Sequence, residues 1–95
     1  MKGKAELINY EKYPLEDGII EIKIYMVTKS KDKPHGFKYS LAYIENGERI
    51  IGYDNCEGKG DHFHYAGHEG YYEFIDLDRL KHDFFSAIRR RKDEG

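Results

Sequence analysis

Between Tyr53 and Tyr65 the chain runs Asp54, Asn55, Cys56, Glu57, Gly58, Lys59, Gly60, Asp61, His62, Phe63, His64, and no other stretch gathers acid, base and cation so closely. Side chains two residues apart share one face of a strand, so His62 and His64 project together while Phe63 and Tyr65 point the other way. Such a pair supports two chemistries. As general base and acid the imidazoles would cleave a phosphodiester with no metal, Lys59 steadying the charge on phosphate and Asp54 or Asp61 orienting a ring. As ligands, His62 and His64 would hold a divalent metal with Asp61 or Asp54 as the carboxylate donor. A third, structural reading makes Gly58 and Gly60 a wide turn whose amides Asp54 and Asn55 cap, with both histidines ordinary strand residues. Spacing alone leaves all three open.

Substrate contacts fall to Lys59, to the amides that Gly58 and Gly60 leave uncovered, to Asn55, and to Arg49 on the strand leading in. An ion pair with Glu48 or Glu73 explains Arg49 equally well. The segment is not a P-loop, whose spacing and following Ser or Thr are absent. His68 and Glu69 are placed to join the site from the next turn, whereas His35 and His82 are expected to be remote. Cys56 is the only cysteine, which excludes an internal disulfide or a multi-cysteine zinc site. With no cation beside it, it reads as a small loop residue.

These residues need a scaffold, and the apolar pattern predicts one. Ala5 to Tyr13 reads as a strand ended by Pro14 and a turn at Glu16, Asp17 and Gly18. From Ile20 the alternation is clean: Ile20, Ile22, Ile24 and Met26 on one face, Glu21, Lys23 and Tyr25 on the other. Lys29 to Gly36 is a polar loop. Phe37, Tyr39, Leu41 and Tyr43 alternate with Lys38, Ser40 and Ala42, and Asn46-Gly47, the favoured type I′ pair, turns the chain into Arg49 to Tyr53. His62 to Tyr65 and Tyr71 to Phe74 are two further strands around a turn at Gly67 to Gly70. Then the period changes to that of a helix: Leu77, Leu80, Phe84, Phe85 and Ile88 form one stripe, Asp76 is the N-cap, and Arg89 to Lys92 suit the negative carboxyl end. The expected fold is α+β: an antiparallel meander of about four to six strands with one C-terminal helix packed on one face, and an exposed sheet face rich in tyrosine.

The 95 residues suit a single domain, 1–95, and 39% hydrophobic content is enough for a core. The net charge of -2 argues against overall positive charge as a means of holding nucleic acid. No apolar run approaches a bilayer span and the amino terminus has no signal-peptide core, so a cytoplasmic protein with no membrane partner is expected.

The run Tyr39-Ser40-Leu41, Gly47 with Arg49, Tyr53-Asp54-Asn55, Gly58-Lys59-Gly60-Asp61-His62 with His64, and Tyr72-Glu73-Phe74 ahead of the Leu77, Leu80, Phe84 helix resembles the TumE family of toxins. The likeness extends from about Gly18 to Ile88. It implies the toxin half of a toxin-antitoxin pair, neutralised by a helix-turn-helix antitoxin. Phe63 stands where the family commonly has arginine, which removes one cation. By analogy with small toxins in general, the implied activity is that of a ribonuclease acting on RNA, with His62 and His64 as acid/base pair, Asp54 or Asp61 behind them and Lys59 as phosphate anchor. The alternatives are a non-catalytic protein-binding module and a metal-binding protein. Exposed sheet edges make a homodimer reasonable.

Overall fold

A computed structural model describes residues 5–56, 58 and 60–94. Six strands, β1 (Glu6–Leu15), β2 (Gly18–Met26), β3 (Phe37–Glu45), β4 (Glu48–Asp54), β5 (His62–Tyr65) and β6 (His68–Tyr71), are followed by helix α1 (Leu77–Glu94). The sheet order is β1-β2-β3-β4-β5-β6, each pair antiparallel, so every strand lies beside its sequence neighbour. This is the α+β meander with a C-terminal helix that the apolar pattern predicts.

The core forms where the two periodicities meet. Ile20, Ile22 and Ile24 of β2, Tyr39, Leu41 and Tyr43 of β3 and Ile51 of β4 share one face, and Leu80, Phe84, Ala87 and Ile88 of α1 cover it. Asp76 caps the helix by accepting from the Arg79 amide at 2.7 Å. The β3–β4 turn has Asn46 at φ 51° and Gly47 at φ 78°, the paired positive values a type I′ hairpin requires.

Three expectations are corrected. β1 runs through Pro14, which faces Ile19, because an edge strand can turn the position lacking an amide proton outward. The final hairpin turns at Ala66 and Gly67, φ 48° and 90°, so β6 is His68–Tyr71 and not Tyr71 to Phe74. Gly70 lies inside that strand opposite Phe63, whose ring stands 2.7 Å from where a Cβ would be. The tyrosines do not gather on the exposed face: Tyr10, Tyr13 and Tyr71 are exposed, but five others turn inward. Tyr39 and Tyr43 are fully buried and Tyr53, Tyr65 and Tyr72 pack against the core, because they alternate in phase with the isoleucines beneath the helix. Among the described residues no helix is long and apolar enough to cross a membrane.

Candidate functional site

On the uncovered face of the sheet, Asp54 stands directly opposite His62 and Gly52 opposite His64. Strict alternation from Ile51 would send Arg49 under the helix. A bulge prevents it: Tyr43 faces Ile51 but Ile44 faces Arg49, leaving Ile50 as the extra residue and turning Arg49 toward Asp54. Arg49 Nη1 then donates to Asp54 Oδ2 at 3.2 Å. The guanidinium crosses Gly52, where a Cβ would lie 3.2 Å from it, so only glycine leaves ordinary contact distance.

His62 Nε2 is 3.3 Å from Asp54 Oδ1, an ion-pairing distance, while Nδ1 is 3.1 Å from the Gly60 carbonyl. A carbonyl only accepts, so the network assigns a proton to Nδ1 and leaves Nε2 as the nitrogen beside the carboxylate. Asp54 is 6% exposed, and its Oδ1 makes no hydrogen bond among the described residues despite that proximity. One step along the strand, His64 Nδ1 lies 3.7 Å from Glu69 Oε2, too far for a hydrogen bond.

Asp61 goes elsewhere. Although adjacent to His62, its carboxylate lies 2.9 and 3.2 Å from His35 Nε2 and accepts from the Tyr39 hydroxyl at 2.8 Å. His35 Nδ1 accepts from the Phe37 amide at 3.1 Å, which puts the ring proton on Nε2, where it is donated to Asp61. The Phe74 ring packs on the imidazole at 4.0 Å between centroids. Burial, then the Asp61 contact, pushes the Tyr39 phenol far above its ordinary pKa, so it stays a donor. The structure thus puts Asp54, His62 and His64 on one side of the sheet and Asp61 on the other, and brings His35, expected to be remote, to Asp61. A signal for this existed. Counting register from the Asn46-Gly47 turn puts the residues before β3 beside those before β5.

Asn55 is fully buried. Its Oδ1 accepts from the Tyr39 amide at 2.9 Å and its Nδ2 donates to the Phe37 carbonyl at 2.8 Å, extending the β3 ladder past the end of β4. Gly58 and Gly60, at φ 74° and 79°, supply the left-handed turns of the segment. Lys59, expected to anchor phosphate, lies outside the described residues. Cys56 donates to the Tyr39 carbonyl at 3.3 Å, and burial, with Asp54 nearby, raises its thiol above the usual value, the opposite of an activated nucleophile. His68 and His82 are exposed. Among the described residues no three His, Cys, Asp or Glu side chains gather as a metal would need, and the donor trio His62, His64 and Asp61 is split by the turn of Asp61 toward His35.

Fold and site together define a class: a small α+β domain that gathers imidazole, carboxylate and guanidinium groups on the face of an antiparallel meander that its helix leaves uncovered. A family model for Toxin TumE matches residues 4–92, nearly the whole sequence, and the chain belongs to that family. Membership makes it a toxin of a toxin-antitoxin system, with an antitoxin as partner. No curated protein and no solved structure matches it.

Proposed function

We propose that this toxin is a ribonuclease whose reaction centre is the uncovered face at Asp54, His62 and His64. The supporting observation is the juxtaposition of His62 Nε2 with a buried carboxylate oxygen that makes no hydrogen bond among the described residues. An imidazole so placed gains a proton next to negative charge, which stabilises the cation it becomes. In the reaction, His62 Nε2 takes the proton of a ribose 2′-hydroxyl as its oxygen attacks phosphorus. The bond from phosphorus to the 5′-oxygen breaks, and His64 gives that oxygen a proton. The products are a 2′,3′-cyclic phosphate and a 5′-hydroxyl. Arg49 and the amides at Gly58 and Gly60 would meet the phosphate charge, and Lys59, by its residue type, is assigned the role of phosphate anchor. Asp61 and Asn55 hold the segment in place through His35, Tyr39 and the β3 backbone.

The neutralising antitoxin is read as a helix-turn-helix protein, and the open edges of β1 and β6 as the surfaces through which two copies would pair. The test is incubation of the purified toxin with total RNA, with and without chelator, beside His62→Ala and His64→Ala proteins whose melting shows that they fold. Cleavage that persists in chelator and is lost in both variants is the expected result. Chelator-sensitive cleavage would replace the acid/base pair with a metal site. No cleavage by folded wild-type protein would leave this face to partner binding alone.

A further inference from the structure

The reaction proposed above uses the uncovered face and leaves the opposite flank of β5 and β6 without a role. There, between α1 and the strands, lies a groove of about 500 Å³ walled by Tyr53, Phe63, Tyr71 and Tyr72, with Ser86 and Arg90 on its helix side. A smaller hollow of about 280 Å³ at His62 has Tyr71 as part of its wall, so one tyrosine joins the two. Most of the groove is held rigidly. Tyr53 and Tyr72 meet edge to face with centroids 5.0 Å apart, the Tyr72 hydroxyl donates to Asp83 at 2.7 Å, and Phe63 is seated over Gly70. Tyr71 is the exception. It is 86% exposed, which leaves its ring with little share in the core.

We propose that the groove is a base-binding subsite for single-stranded RNA, in which a strand with a phosphate at His62 lays an adjacent base across Tyr71 among the aromatic rings. The inference rests on reading His62 as an RNA-facing residue. Aromatic faces stack any base, but only one that has left a duplex, which sets the substrate class. Charge favours the same occupant. The Asp83 carboxylate is engaged by Tyr72 and, at 3.0 Å, by Arg79, whereas the Arg90 guanidinium, 4.7 Å above the Tyr65 ring, adds positive charge beside the groove. Together they suit a polyanion with flat apolar bases better than a basic protein segment.

The probe is a short fluorescent 2′-O-methyl RNA of mixed sequence, which has no 2′-hydroxyl to react, beside a sugar-phosphate strand of equal length without bases. Anisotropy should show the RNA binding more tightly than the abasic strand. Tyr71→Ala should weaken RNA binding by about tenfold or more, Tyr71→Phe should retain it, and the abasic strand should not distinguish the proteins. Equal RNA binding by wild type and Tyr71→Ala overturns the proposal, as does a wild type that binds no RNA. Loss of antitoxin binding in Tyr71→Ala with RNA binding unchanged also overturns it and gives the groove to the protein partner. Because the probe cannot be cut, the two readings fail separately. A toxin that binds through Tyr71 but cleaves nothing keeps the subsite and loses the reaction, and one that cleaves but ignores Tyr71→Ala does the reverse.

Discussion

Two histidine-aspartate contacts stand at the same end of the sheet, one on each side of it. On the helix side, His35 accepts from Phe37 through Nδ1 and donates to Asp61 through Nε2, while Tyr39 donates to the same carboxylate. On the uncovered side, Asp54 Oδ1 and His64 Nδ1 are buried atoms without a hydrogen bond among the described residues. The residue types are the same. What differs is that the second side leaves a carboxylate oxygen, Asp54 Oδ1, and an imidazole nitrogen, His64 Nδ1, unbonded among the described residues. A pair whose donors and acceptors are all used ties segments together, and burying polar groups is tolerable there because they are satisfied. Groups left with capacity are those able to meet a substrate.

That contrast makes its largest prediction at His62. His62→Ala should lower RNA cleavage by about 10²- to 10⁴-fold, the range for removing a general base, with only a small change in melting. A variant cleaving at the wild-type rate would dissolve the distinction. The mirror experiment is Asp61→Ala, which leaves the His35 ring proton and the Tyr39 hydroxyl without their acceptor. It should destabilise by about 2–4 kcal/mol in urea titration, and an unchanged midpoint would mean that the tie holds nothing. Gly52→Ala sharpens the comparison within the uncovered side. Its methyl would sit 3.2 Å from the Arg49 guanidinium, so Arg49 should lose Asp54, with a several-fold fall in cleavage and less than about 1 kcal/mol of stability. Equal cleavage would remove Arg49 from the reaction.

The smallest effect lies away from both sides. Hydrogen bonds from Lys81 to Glu11 and from Arg91 to Glu45 hold these carboxyls below their ordinary pKa in the folded state. The unfolded chain therefore binds more protons as pH falls, and the stability these pairs add is present above the unfolded carboxylate value and lost as pH drops through the folded one. Both groups are solvated, so screening keeps the effect small. Glu11→Gln should narrow the drop in melting temperature between neutral and acid pH by a degree or two at most, about the scale of an exposed pair. An identical drop in both proteins would show that Lys81 contributes no stability through Glu11.

The strands and helix were legible because periodicity is local: the phase of Ile20, Ile22 and Ile24 and the stripe of Leu80, Phe84 and Ile88 each fix a buried face. Asp54, His62 and His64 fall on one face for the same reason. Arg49 joins them only through the bulge at Ile50, and a bulge is set by pairing with Ile44 across the sheet rather than by neighbours along the chain. Adjacency suggests that Asp61 partners His62, whereas its carboxylate meets His35, 26 residues earlier, across the turn at Gly60. The inward tyrosines reflect the same limit, since a strand's alternation does not say which face a helix will cover.

The meander order bears on how the toxin comes into being. Every strand pairs with the one made just before it, so each hairpin closes a short loop, and no sheet contact waits on a distant partner. During synthesis the sheet can therefore assemble hairpin by hairpin as the chain emerges. Helix α1 comes after all six strands, and Ile22, Leu41 and Tyr43 stay wet until it docks. The last step of maturation is thus the covering of a finished sheet, and a chain interrupted before Leu80 and Phe84 would carry every residue of the proposed reaction centre on one face while the apolar face behind it stays open and aggregation-prone.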